Sequence, residues 1–282
     1  MRRLTVLGAA LVMLTVLAAC GREAPVEQVA AGPAQVTVVA TDYKLAGPAS
    51  VGAGAVSLSI RNDGMEAHQA ALFKLNAGAD VAQMIEAAKA PDRNFQKLGA
   101  YSSGPLASPG GTEEIVVDLD PGQYAFFCEI PDSAGTPHLA LGMAAPLEVT
   151  DAAAADRPEP PTVDQAASGT EMSFVLPTEW TGTIGFENKG QQPHELVIGG
   201  AAEGKTIDEA ITAITAAPGT EQPAGPPAFT LLGGVSPIRS GKTAWFEVDL
   251  APGPYFALCF VGDPAQMAPH FALGMLQKFE VK

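Results

Sequence analysis

One module is written twice in this chain, and that duplication limits its possible folds more than any other feature. Residues 118–128 read DLDPGQYAFFC and residues 249–259 read DLAPGPYFALC, identical at six of eleven positions. Residues 137–143 read PHLALGM and residues 269–275 read PHFALGM, identical at six of seven. Asn62, Gly64 and His68 recur at the same spacing as Asn188, Gly190 and His194. A period of about 130 residues is far beyond the roughly 20–50 residues of a solenoid unit, so each copy must be a domain with its own core. The break falls in DAAAADRPEPPTVDQAASG, rich in Pro, Ala and acid, which reads as a linker. The expected division is one domain over 35–150, a linker over 151–167 and a second domain over 168–282.

Each copy is patterned mainly for strands. Ile115, Val117 and Leu119 alternate with polar neighbours, as do Phe246, Val248 and Leu250, the mark of a half-buried strand. Pro121-Gly122 and Pro252-Gly253 signal turns, and the apolar runs YAFFC and YFALC that follow read as buried central strands. Residues 36–43 and 55–62 read as further strands. Each copy also carries one helix, twelve residues after its first His. Asp80 with Gln83, and Thr206 with Glu209, form capping boxes, and Pro91 and Pro218 stop the two helices. These helices, over 80–90 and 206–217, read as packing elements. The expectation is an all-β chain of two tandem two-sheet sandwiches, each with one inserted short helix.

The residues able to do metal or nucleophile chemistry are few. The chain has four His and three Cys, and apart from Cys20 each copy holds one Cys and two His. The order is His68, Cys128, His138, Met143 in the first copy and His194, Cys259, His270, Met275 in the second. Two imidazoles, a thiolate and a weak thioether are the donor set of a blue-copper electron-transfer centre: sulfur suits Cu(I), and imidazole suits Cu(II) as well. Other readings of the same residues are small buried core cysteines, satisfied histidines, or a Cys128–Cys259 disulfide. The disulfide is disfavoured because each Cys sits inside its own sandwich.

The pattern resembles the cupredoxin (plastocyanin-like) family. ENKGQQPHELV around His194 is similar to that family's first-His strand, Tyr-x-x-x-Cys (Tyr124 to Cys128, Tyr255 to Cys259) to its Cys strand, and His-x₄-Met to its closing loop. The resemblance spans nearly all of both copies. It implies Greek-key sandwiches, with the first His inside the fold and the other three donors on one loop at the same end. It also implies that His68, Cys128, His138 and Met143, and His194, Cys259, His270 and Met275, are ligands of one copper per domain. The sequence departs from the family in the long Cys-to-His stretches EIPDSAGTP and FVGDPAQMAP. A turn at Pro131-Asp132 and at Gly262-Asp263-Pro264 would fold the excess outward and return His138 and His270 to the metal. Without such turns the second His stays away from the Cys. Met65 and Met267 are spare thioethers nearby.

The N-terminus carries a separate signal. Arg2 and Arg3 precede an apolar run from residue 4 to 17 that ends in LAAC, which resembles the lipobox of bacterial lipoproteins. It implies removal of residues 1–19, lipidation of Cys20 and a membrane tether over 20–34. The expected location is therefore the cell envelope, extracytoplasmic and lipid-anchored. Cleavage leaves 14 basic against 31 acidic residues, a net charge of −17. That excess argues against nucleic acid as a partner and suits a basic redox protein. Copper oxidases and nitrite reductases need further His ligands. All four His are taken by the two mononuclear sites, and no His-x-His pair exists, so a non-enzyme is expected. The leading expectation is a membrane-anchored single-electron carrier. The alternatives are a copper storage or delivery lipoprotein and a copper-free binding or structural module.

Overall fold

The computed structural model describes residues 32–151, 157–216 and 227–282; the leader, Cys20 and most of the expected tether lie outside the described residues. In the first half, one sheet orders the strands Lys44–Ala46, Ala34–Thr41, Gly54–Asn62 and Thr112–Leu119, with Ala34–Thr41 parallel to Gly54–Asn62. The facing sheet orders Ser50–Gly52, Ala144–Thr150, Gly122–Phe127, Ala71–Leu75 and Gly99–Tyr101. The second half repeats this plan. Ser173–Val175, Gln165–Thr170, Thr181–Asn188 and Thr243–Asp249 face Phe229–Ile238, His194–Ala201, Gly253–Leu258 and Leu276–Val281. The expected all-β, two-sandwich class is the one observed.

Side-chain alternation builds the core. Val36, Val38, Leu58, Ile60, Ile115 and Val117 point inward from one sheet and meet Tyr124, Phe126, Leu147 and Val149 from the other. The intervening residues Ala71, Phe73, Ala125 and Phe127 face outward, yet they too are buried. The helix Val81–Lys89 covers them through Met84 and Ala88, together with Phe95, Tyr101 and Leu139. This is why YAFFC is apolar on both faces. The helix Ile207–Ile214 does the same over Val197, Phe256 and Leu258 through Ala210. Both capping boxes form as read from the sequence.

The two halves are not merely tethered. Thr112–Leu119 and Thr243–Asp249 each end a half-sheet, and they pair antiparallel through Val117↔Ala244, Val116↔Trp245 and Ile115↔Phe246. One eight-stranded sheet results. Joining the two edges satisfies ladder groups that would otherwise be open to pairing with another chain. A second seam joins the facing sheets: Ser103 N–H donates to Pro237 O (2.9 Å) and Ser236 N–H to Gly104 O (3.0 Å). Gln69 Nε2 donates to Ser236 Oγ at 3.2 Å. Asp120 closes the seam, accepting from Arg239 (3.2 Å) and Lys242 (3.3 Å).

Two margins differ from the sequence reading. Ala34, expected in the tether, starts the first strand, and residues 165–167, expected in the linker, start Gln165–Thr170. Both strands gain a parallel partner, which supplies pairing that local composition does not show. Linker residues 157 and 158 also dock on the first half. Arg157 pairs with Asp118 at 2.7 Å, and Pro158 O accepts from Ala55 N–H.

Candidate metal centre

The first His of each half is held by an Asn-x-Gly turn. Asn62 is fully buried; its Nδ2 donates to Glu66 O (2.8 Å) and Ala107 O (3.0 Å), and its Oδ1 accepts from Gly64 N–H (2.9 Å). Asn188 repeats this with Gln192 O, Ile238 O and Gly190 N–H. The glycines are needed for space. A Cβ at Gly64 would stand 2.8 Å from His68 Nε2, and one at Gly190 2.5 Å from His194 Nε2. The Asn-x-Gly-x₃-His spacing is thus a cradle for one imidazole ring.

The long Cys-to-His stretches fold outward as turns, so the first of the two outcomes left open by the sequence is the one seen. Asp132 Oδ1 accepts from Ala134 N–H (2.9 Å) and Thr136 N–H (2.8 Å), and Pro131 bridges to Pro137. Asp263 Oδ1 accepts from Ala265 N–H (2.7 Å) and Gln266 N–H (2.8 Å), and Gly262–Asp263 pairs with Ala268–Pro269. Each Asp side chain replaces backbone partners inside its turn. The chain then returns: His138 N–H donates to Ile130 O and Leu139 N–H to Cys128 O. His270 and Phe271 make the same bonds to Val261 and Cys259.

The result is two buried clusters, His68–Cys128–His138 and His194–Cys259–His270, in each of which one ligand atom per residue lies within 4.8 Å of the others. The converging ring atoms are Nδ1. They stand 3.1 Å apart in both halves, and Sγ lies 3.4 Å from His138 Nδ1 and 3.5 Å from His270 Nδ1. Donors bound ~2.0–2.3 Å from one shared ion must sit a little over 3 Å apart, so the spacing fits a metal. All six residues are fully buried. Met143 and Met275 are buried beside Cys128 and Cys259 in the core. Their backbones tie the loop shut: Cys128 N–H donates to Met143 O, and Met143 N–H to His138 O, with the same pair at Cys259, Met275 and His270. Met65 and Met267 are strongly exposed.

Electrostatics argues against nucleophilic chemistry at either thiol. Burial pushes the Cys128 thiol up to about 12 and raises Cys259 further, and both thiols are free. Such a thiol is inert until a metal displaces its proton. Gln69 N–H donates to Cys128 Sγ at 3.4 Å. Burial lowers His138 and His270, and it lowers His194 to about 4, which keeps these imidazoles neutral and ready to bind.

Two carboxyls beside the clusters, Glu129 half-buried and Glu195 buried, gave no sequence signal. Burial raises Glu129, which follows Cys128, to about 7; it raises Glu195, which follows His194, to about 8. Glu129 accepts from Tyr101 Oη (2.9 Å), and Glu195 from Phe260 N–H (2.6 Å). A carboxyl with a raised folded-state pKa retains its proton after the unfolded chain has lost it, so stability falls as pH rises through the folded value. The metal-free protein is therefore expected to lose ~1 kcal/mol or more between about pH 7 and 8.5, above the range where unfolded histidines titrate. Denaturant unfolding at the two pH values measures this, and Glu195→Gln should remove most of the slope.

Fold and donor set together define a class: a tandem β-sandwich protein with a buried His₂Cys cluster and a neighbouring Met at one end of each half. The first His on a strand and the remaining donors on one closing loop match the cupredoxin-like arrangement expected from the sequence. No protein-family model matches the chain, and none of the curated proteins is similar to it. Solved structures similar to it include a dithionite-reduced auracyanin from the photosynthetic bacterium Roseiflexus castenholzii, at 21% identity and TM-score 0.30, covering 43% of this chain and 99% of that one. Auracyanin A of Chloroflexus aurantiacus, a blue copper protein, is 21% identical at TM-score 0.30, over 42% of this chain and 100% of its own. A multicopper oxidase aligns over 88% of both chains at 14% identity and TM-score 0.23.

Proposed function

We propose that this chain is a copper protein with two blue-type centres that carries single electrons, and that it works outside the cytoplasm on a lipid anchor at Cys20. One observation supports the reading above all: in both halves two imidazole Nδ1 atoms and one buried thiol converge, with a methionine closing the loop. His68, Cys128 and His138, and His194, Cys259 and His270, would hold the copper, with the Met143 and Met275 thioethers as weaker donors. Copper so bound supplies one-electron exchange. The protein's part is to keep the donors still. The Asn cradles, the Gln69 N–H bond to Cys128 and the Met–Cys–His backbone ties resist rearrangement when the charge changes. All four His are taken by the two clusters, so a further copper centre of the oxidase type has no His to build on. The strong acidic excess fits a basic redox partner.

The test is addition of Cu(II) to the metal-free protein. Two equivalents taken up, with an intense sulfur-to-copper band in the visible, are expected, and the band should bleach and return over repeated one-electron cycles. Uptake with no visible band contradicts the blue-type assignment. A band that does not cycle, with copper leaving on reduction, points instead to copper delivery.

A further inference from the structure

The two centres match at every donor atom, but the groups behind the histidines differ. In the first half both Nε2 atoms face carboxylates: His68 Nε2 lies 3.1 Å from Asp42 Oδ1, and His138 Nε2 lies 2.8 Å from Glu66 Oε2. In the second half neither ring has such a partner. His270 Nε2 faces the neutral amide oxygen of Gln192 at 3.2 Å, and the buried His194 Nε2 has no hydrogen-bond partner among the described residues. The positions correspond one to one. Glu66 and Gln192 both stand two residues before the first His. Asp42 accepts from Met65 N–H as Glu171 accepts from Gln191 N–H, but only Asp42 also reaches the ring.

The remaining nearby charges are close to balanced. Asp132 and Asp263 head matching turns, and each half has one carboxyl beside its cluster, the half-buried Glu129 and the buried Glu195. Gln192 Nε2 donates to Asp263 Oδ2 at 2.9 Å, so in the second half an amide stands between the carboxylate and the ring.

A carboxylate on the outer nitrogen of a metal-bound imidazole makes the ring a stronger donor, and a stronger donor stabilises the more highly charged metal ion. We propose, resting on the copper reading above, that the two centres are held at unequal reduction potentials, with the first half the stronger reductant. With copper bound, the half carrying Asp42 and Glu66 would be the better one-electron donor and the half carrying Gln192 the better acceptor.

Cys259→Ser leaves a protein loaded only at the first centre, and Cys128→Ser one loaded only at the second. Redox titration of each against a mediator set, followed by the visible band, is expected to place the first centre lower by at least a tenfold difference in the electron's distribution, which for one electron is about 59 mV. Glu66→Gln should raise the first potential and Gln192→Glu should lower the second, with the band kept in both. A second readout is the ratio of Cu(I) to Cu(II) affinity, which should shift in the same direction in each variant. Equal potentials, the reverse order, or exchange variants that leave both potentials unmoved while copper binds normally would overturn the inequality and leave the copper reading standing. A chain that takes up no copper at either centre overturns both.

Discussion

Cys128→Ser is expected to halve the copper held in the visible-absorbing form, Cys259→Ser to do the same, and the double variant to abolish the band. The reason is geometric. Each cluster has one thiol sulfur, 3.4 Å from His138 Nδ1 in the first half and 3.5 Å from His270 Nδ1 in the second, and the seryl oxygen is neither soft nor readily ionised there. Loss of affinity at the altered centre should exceed the roughly 10–100-fold that outer-sphere partners typically contribute. Titration of copper with the band and with total bound metal separates the two quantities. Because the serine variants keep the fold's volume, unfolding curves of the metal-free variants should lie close to the parent. A band that survives in the double variant would mean that the coordinating sulfur is elsewhere, with the exposed Met65 and Met267 as the first residues to test.

Gly234→Ala is expected to destabilise the protein by roughly 3 kcal/mol or more. Gly234 sits at φ +118, and a Cβ there would stand 1.8 Å from Leu196 O, backbone that cannot swing aside. The residue lies in Phe229–Ile238, whose pairing with His194–Ala201 shifts register on either side of it. The same strand carries Ser236, which takes the seam bonds from the first half, and Ile238, which pairs opposite His194. Strain at this point therefore loads the inter-domain seam and the second cluster together. Gly241→Ala is the control: its φ is +72 but the space around it is open, so only the conformational penalty of about 1 kcal/mol applies. Chemical denaturation of both variants without metal measures the difference. Near-equal losses would show that the Leu196 backbone gives way.

Much of this architecture is visible in the residues themselves. The duplication, the central strands that end in Cys and the capped helices all rest on local patterns: period-two alternation, Pro-Gly turns and Asp or Thr three residues before Gln or Glu. The donor inventory is equally plain, because a chain with four His leaves few ways to distribute them. The cradle for the first His is readable as Asn-x-Gly-x₃-His, although the reason for its glycine, a ring nitrogen under 3 Å from any added Cβ, is not. Asp132 and Asp263 mark the outward turns, yet only the folded chain shows that these turns bring His138 and His270 back to the sulfur.

What the sequence determines unaided is the kind of fold and the list of donors, since both follow from residue type and short-range spacing. Three things were decided by the tertiary structure alone. The halves share one sheet, because Thr112–Leu119 and Thr243–Asp249 look like any half-buried strand until their edges meet. Glu129 and Glu195 become desolvated carboxyls with raised pKa only in the folded chain. The two centres become unequal because Asp42, 26 residues from His68, arrives behind its ring while the corresponding Glu171 does not reach His194. Each of these depends on contacts between segments far apart in the chain, whose energy comes from desolvation and hydrogen-bond geometry that no local pattern encodes.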